Sequence, residues 1–346
     1  MKAVRMKKHL FAVAIALAAS ALAAAPGDAS SPSSSTRYAT DAYPGFDREE
    51  NIVASSKKTP RWFGWINGPA KDTAAEQLAY AEESFAEGSF RAARRAYDAL
   101  VREWPSSPEA PKAQEKLADM YFSHYLEYDE AFDEYKYLLD FYSSQCDYDA
   151  VARRLYDTAE MMREEGKTLV FFRFANTVDV RRAYEAVVLR APGAAFAPAA
   201  MKTIASLRED DGEWEKAVEV YENLRNLYPA SGEARESYLR EAADRMHLLR
   251  EHAYNRPRTL DTIAYLKLAL QSAPSADDSL TLEAYLKEAT ELIEDEAFRA
   301  AKFYDSKTRT RSSAIAAYER FLKEYPASGR TEEVRARIEE LKGGER

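Results

Sequence analysis

The chain has 346 residues, 46% hydrophobic and 31% charged, with a net charge of −9. That balance suits one or two globular units with real cores and excludes a disordered or collagen-like chain. Twelve glycines argue against a β-rich protein with many tight turns, and the acidic balance argues against nucleic acid and anionic membrane as partners.

The first segment reads as a secretory signal peptide, residues 1–23. Lys2, Arg5, Lys7 and Lys8 form a positive start, an apolar run follows from Leu10 to Ala25, and Ala21-Leu22-Ala23 offers an A-x-A cleavage site. Cleavage there removes four basic residues and no acid, taking the net charge from −9 to −13. No later stretch is long and apolar enough to span a bilayer. The expectation is an exported, periplasmic protein. Its single cysteine, Cys146, cannot form an internal disulfide and reads as structural, so stability must come from core burial.

Residues 24–71 form a separate low-complexity region. Ala29–Thr36 is nearly all serine and proline and reads as a tether. Arg61–Pro69 then sets Trp62, Phe63 and Trp65 within four residues. These aromatics read as a strap over the first helices or as a docking peptide for a partner.

From residue 72 to 346 helical periodicity is continuous, opening on Thr73-x-x-Glu76, a capping-box signal. A tyrosine stands eight residues before a proline four times: Tyr97 and Pro105, Tyr184 and Pro192, Tyr221 and Pro229, Tyr318 and Pro326. Four residues before these anchors stand Ala93, Val180, Ala217 and Ala314. Three after stand Leu100, Val187, Leu224 and Phe321, and seven after stand Trp104, Ala191, Tyr228 and Tyr325. Offsets of −4, 0, +3 and +7 share one helix face. Tyr135 keeps the face without the proline, and Leu266 replaces the tyrosine in a weaker copy ending at Pro274.

Gly88 and Gly212 lie nine residues before their anchors, with Phe90 and Trp214 at −7 and Ala81 and Ala205 at −16. Glycine there suits a turn that needs positive φ. The unit is therefore helix A, turn, helix B, proline, and about six such hairpins fit. Ser107, Ser231 and Ser328, each two residues past its proline, are placed to cap the next helix. Tyr-Pro-Ala-Ser-Gly, present at Tyr228–Gly232 and again at Tyr325–Gly329, is on this reading a joint between hairpins and not a duplicated ligand loop.

This pattern resembles the tetratricopeptide repeat, which implies an all-α superhelix of antiparallel hairpins that binds proteins and has no chemistry of its own. Successive anchors are 38, 49, 37, 45 and 52 residues apart, longer than the regular repeat of about 34. Phe90–Ala113, Tyr128–Tyr142, Glu296–Tyr304 and Ser313–Ser328 further resemble the BamD-type proteins of the outer-membrane assembly machinery. That resemblance covers residues 73–145 and 290–342. It implies a periplasmic scaffold that meets barrel-assembly components or unfolded outer-membrane proteins. Members of that group carry a lipid-bearing cysteine after the signal peptide; alanine fills Ala23–Ala25 here.

Catalytic, metal and cofactor motifs are missing from the sequence. It has no H-E-x-x-H, G-x-S-x-G, Walker or G-x-G-x-x-G pattern. His247 and His252 are five apart, the wrong spacing for one helical zinc face, and acidic pairs such as Glu82/Glu83 and Asp210/Asp211 read as solvated faces. The candidates for partner binding are Tyr121 and Tyr125, because tyrosine offers apolar area and a hydroxyl at low entropic cost, and Arg91, Arg94 and Arg95, which could meet an acidic partner segment. Two further readings are an adaptor for cell-wall or division machinery and a glycan- or nutrient-binding solenoid; four tryptophans, two placed in the repeat, offer little for the latter.

Overall fold

The computed structural model describes residues 68–168, 173–251, 255–272, 275–306 and 311–343, with backbone only at 166–168 and 173–178. By internal contacts the chain divides into Met1–Arg37 and Tyr38–Arg346, and every described residue belongs to the second. Trp62, Phe63, Trp65, His252 and Pro274 lie outside the described residues.

Among the described residues there are thirteen α-helices and no strand. They are α1 Ala74–Ala86, α2 Phe90–Glu103, α3 Ala110–Met120, α4 Tyr128–Phe141, α5 Tyr148–Thr168, α6 Arg173–Arg190 and α7 Ala197–Asp210. Then follow α8 Trp214–Leu227, α9 Gly232–Glu251, α10 Arg256–Gln271, α11 Ala276–Asp305, α12 Arg311–Glu324 and α13 Thr331–Gly343. Each helix packs on the next along the chain, and α7 also meets α9, and α9 meets α11. The result is an all-α solenoid of six hairpins (α1/α2, α3/α4, α5/α6, α7/α8, α9/α10, α11/α12) closed by α13.

All six anchors fall on the second helix of a hairpin and are buried: Tyr97, Tyr135, Tyr184, Tyr221, Leu266 and Tyr318. The small residues at −4 (Ala93, Ala131, Val180, Ala217, Ala314) and the larger ones at +3 (Leu100, Leu138, Val187, Leu224, Phe321) are buried with them. A ring that large in a packed core must also satisfy its hydroxyl. In four hairpins the anchor donates to a carboxylate on the first helix of its own hairpin. Tyr135 reaches Asp119 at 2.7 Å, Tyr184 reaches Glu160 at 2.7 Å, Tyr221 reaches Glu209 at 2.7 Å and Tyr318 reaches Asp305 at 3.1 Å. Burial pushes the Tyr97 phenol up to about 12, with the Glu82 charge adding to it.

The turns inside hairpins follow from backbone geometry. Gly88 and Gly212 have φ of 77° and 73°. Behind them the Ser89 N–H donates to the Ser84 carbonyl and the Glu213 N–H to the Arg208 carbonyl, both at 2.8 Å, closing the helix ends in Schellman fashion. In the second hairpin Leu126 stands nine residues before Tyr135, with φ of 53°. A π-turn over Tyr121–Tyr125 precedes it, and the Glu127 N–H reaches one residue further back, to the Tyr121 carbonyl at 3.0 Å. The extra residue is absorbed by widening the helix.

The joints between hairpins share one hydrogen-bond pattern. The +7 N–H donates to the +3 carbonyl in five joints, as at Trp104 to Leu100 (2.8 Å) and Tyr228 to Leu224 (2.9 Å). A turn then closes on the +7 carbonyl, from Ser107, Gln145, Ala194, Ser231 and Ser328. Proline second in that turn supplies the required φ without distortion. The tyrosine at +7 also ties each of two joints to the preceding one: Tyr142 donates to the Pro105 carbonyl at 2.7 Å, and Tyr228 to the Pro192 carbonyl at 2.6 Å.

The expected serine caps hold at one joint of three. Ser231 Oγ accepts the Ala234 N–H at 3.0 Å. Ser107 Oγ is buried without a hydrogen-bond partner, because α3 starts only at Ala110, where Pro111 begins the helix without an N–H to cap. At the last joint Thr331 opens the helix; its N–H and its hydroxyl both donate to the Ser328 carbonyl, at 3.1 and 2.7 Å. Of the acidic pairs, Asp211 is not a bystander: it accepts from buried Arg181 at 2.6 Å.

The apolar core is continuous from α1 to α8, then is replaced by a polar seam before a second core in α9–α11 and a third in α11–α13. In the seam, buried Glu241 accepts from Arg225 and, at 2.6 Å, from Arg245. Both guanidiniums lie over the Tyr265 ring. One turn on, Asp244 is 2% exposed and its Oδ2 has no hydrogen-bond partner. Burial, then the Glu209 and Glu241 charges, pushes its carboxyl up to about 8, against the opposing pull of Arg240.

Two outcomes follow from this backbone and this seam. Leu126 is 55% exposed, so Leu126→Gly loses little burial while removing a left-handed strain, and should raise stability by about 0.5–1 kcal/mol in urea unfolding. Asp244 is protonated when folded and ionised when unfolded between its two pKa values. Its contribution is therefore largest in acid and is lost as pH rises, by at most about 1.4 kcal/mol per pH unit toward pH 8. Asp244→Asn should raise the melting temperature by a margin that grows from pH 5 to pH 8; an equal gain at both ends would refute the assignment.

Candidate interaction surface

The polar and aromatic candidates converge where the π-turn ends α3. Arg94, on α2, donates from Nη1 to the Tyr121 hydroxyl at 2.8 Å. Its guanidinium lies 5.7 Å from the centroids of both Tyr121 and Tyr125, and these two rings are 6.0 Å apart. Burial pushes the Tyr121 phenol above its usual value although Arg94 pulls the other way. From Tyr125 the row of rings continues to His124 (5.0 Å, edge-on), then Phe90 (3.7 Å), then Phe85 (5.4 Å, edge-on). His124 is exposed and Phe85 is 43% exposed. The row crosses from the end of α1 over the start of α2 to the end of α3.

Arg94, Tyr121 and Tyr125 are thus brought together. Arg91 and Arg95 stand one turn apart on the exposed side of α2, six and two residues before Tyr97, and join no ring of this row among the described residues. Phe85 and His124 were not expected. His124 belongs to the π-turn, of which a hydrophobic period carries no sign, and Phe85 meets Phe90 across the turn between α1 and α2.

The arrangement recurs. Phe90 and Trp214 occupy the same repeat position, and each is stacked by a histidine from the next hairpin's first-helix segment. His247 lies 4.1 Å from Trp214, much as His124 lies over Phe90. The two pairs are separated in sequence by 34 and 33 residues. His247 Nε2 is also 3.4 Å from Glu251. His124 and His247 are thus ring partners, and His252 lies outside the described residues; among the described residues no group of three or more His, Cys, Asp or Glu side chains could hold a metal ion. Cys146 is half-buried, with its sulfur 4.0 Å from the Ser143 carbonyl, and burial pushes its thiol up.

A second concavity of roughly 440 Å³ lies between α11, α12 and α13, lined by Phe298, Tyr318, Val334 and Arg337. Lys302 and Glu333 also line it, and its other charged groups are tied to one another. Arg337 binds Asp305 through two nitrogens at 2.8 and 2.9 Å, and Asp305 accepts from Tyr318. Arg337 holds the Asp305 carboxyl below its usual range.

Comparison with known proteins identifies the repeat. The tetratricopeptide-repeat family model matches residues 199–231 and 297–328. The first range runs through α7 and α8 to Ser231, and the second from late α11 through α12 to Ser328, so each ends on the joint serine. No curated protein matches the chain. Among solved structures, similarity is found to the MamA protein, at 18% identity over 57% of this chain and 91% of that one, with a TM-score of 0.28. A tetratricopeptide-repeat protein of Parabacteroides merdae is 14% identical over 78% and 96%, TM-score 0.28. The TPR2AB domain of yeast Sti1, in complex with pHSP90, is 14% identical over 64% and 86%, TM-score 0.28.

The link between Arg94 and Tyr121 is open to measurement. In a double-mutant cycle of Arg94→Met and Tyr121→Phe, thermal unfolding should return a coupling energy of about 1 kcal/mol; independent, additive effects would show that the pair does not hold the row together.

Proposed function

We propose that this protein is a non-catalytic scaffold of the bacterial envelope that binds other proteins along the turn edge of its hairpins, in a role like that of the BamD-type assembly proteins. The observation that carries the reading is the row Phe85–Phe90–His124–Tyr125–Tyr121–Arg94 mounted on a tetratricopeptide-type solenoid. Stacked hairpins spend their inward residues on neighbours and leave edges and grooves for partners. Rings with polar tips, fixed by their own contacts, lose little entropy when a partner docks.

The envelope location is supported by the leader-like pattern Lys2–Ala25, and the assembly role by the resemblance of residues 73–145 and 290–342. Trp62, Phe63 and Trp65 are proposed as a further contact for the same partners. No helix among the described residues is long and apolar enough to cross a membrane.

Photocrosslinking in intact cells tests the reading. A benzoylphenylalanine at Phe85 or His124 should capture one defined envelope protein, and one at Glu215 should not. Capture of a barrel-assembly component or an unfolded outer-membrane protein supports the assembly role. Capture of a peptidoglycan synthase instead moves the protein to cell-wall machinery. Equal labelling from all three positions would sink the proposed surface.

A further inference from the structure

Helix α10 differs from its counterparts on the side that faces away from the core. Six and two residues before the anchor, α2, α4, α8 and α12 carry Arg91 and Arg95, Asp129 and Asp133, Glu215 and Glu219, and Ser312 and Ala316, all exposed; in α6 the sequence has Val178 and Arg182 there. In α10 the same positions hold Leu260 and Ala264, and Leu268 follows one turn later. Leu260 is 48% exposed and Leu268 50%, with Ala264 exposed between them. The opposite face (Thr259, Thr262, Tyr265, Leu266, Ala269) is buried in the hairpin. A helix that is apolar on both faces is normally covered on both.

The charges beside the stripe say what covers it. Asp261 and Lys267 are both exposed, and they lie three residues before and three after Ala264. We infer that α10 pairs antiparallel with α10 of a second copy of this chain, about a two-fold axis through Ala264. Residues equally spaced on either side of an isologous axis meet each other. Leu260 then faces Leu268 of the partner subunit, and Asp261 faces Lys267 of the partner subunit, each contact occurring twice. Ala264 at the crossing point removes the bulk that would hold the helices apart. A heterologous partner would have no reason to require opposite charges at equal distances from the smallest residue; self-association does.

Three of the counterpart helices could not do this. Their −6 and −2 positions carry like charges on α2, α4 and α8, which would repel across the same axis. One helix pair falls at the low end of protein interfaces, below roughly 1,200 Å², so the dimer is concentration-dependent. This inference is independent of the partner-binding edge proposed above.

Sedimentation velocity of the full chain across a dilution series tests it. The expected result is a monomer–dimer equilibrium that Leu260→Glu and Leu268→Glu each abolish, with helicity and melting temperature unchanged. Asp261→Lys alone and Lys267→Asp alone should each weaken the dimer at least about tenfold at low salt, and the double exchange should restore it. A second readout uses position: Ala264→Cys in a Cys146→Ser background should form a disulfide-linked dimer on oxidation, while Leu280→Cys should not. A chain that stays monomeric throughout, or a dimer that survives Leu260→Glu, or a double exchange that fails to rescue, would overturn the inference.

Discussion

The solenoid depends on one contact made again in four of its six hairpins: a tyrosine buried on the second helix whose hydroxyl donates to a carboxylate on the first. The ring fills the space between helices that the small residue at −4 has brought close. The hydroxyl cannot be left dry and unpaired, since an orphaned buried donor costs about 1–3 kcal/mol. Asp119, Glu160, Glu209 and Asp305 meet that demand from the first helix of the same hairpin. Burial brings the helices together, and the hydroxyl fixes where along the partner helix the ring must sit. Leu266 fills the same place without a hydroxyl, and its hairpin has no register bond of this kind to make.

Contacts between hairpins are of a different kind. Tyr142 and Tyr228 donate to proline carbonyls of the preceding joint, so the backbone of one joint anchors the next. Where apolar packing gives out between α8 and α9, the seam is held by Arg225, Glu241 and Arg245. Buried ion pairs are weak sources of net stability because desolvation opposes them, but breaking one leaves an unpaired charge. The seam is therefore geometrically exacting, and it separates a long N-terminal core from two shorter ones carried by α11.

Much of this was legible beforehand because the inward positions obey a period. The offsets −4, 0, +3 and +7 identified the six buried anchors, and the glycines at −9 identified two positive-φ turns. The acceptors for the tyrosines were not legible: they stand 16, 24, 12 and 13 residues upstream, distances set by how long each first helix runs. Nor was Leu126, which takes the glycine conformation only because the π-turn adds a residue. The serine caps were over-read at Ser107 and Ser328, where the next helix starts later than the serine allows. His124 escaped for the same reason as Leu126, since a π-turn leaves the hydrophobic pattern unchanged, and Phe85 because it stands outside the anchor offsets.

The positions that escape the period are the ones free to carry function. An inward residue answers to two neighbouring helices, and any change there is felt by packing. An outward residue at −6 or −2 answers only to solvent or to a partner. Across the second helices those positions hold paired arginines, paired aspartates, paired glutamates, a valine with an arginine, a serine with an alanine, and a leucine with an alanine. Solubility alone would accept charge at every one of them. The leucines of α10 have no such excuse, and their placement about Ala264 between charges of opposite sign is what a two-fold contact requires. The turn edge follows the same logic: Phe90 and Trp214 belong to the repeat, but each also takes a ring contact from the next hairpin, from His124 and His247.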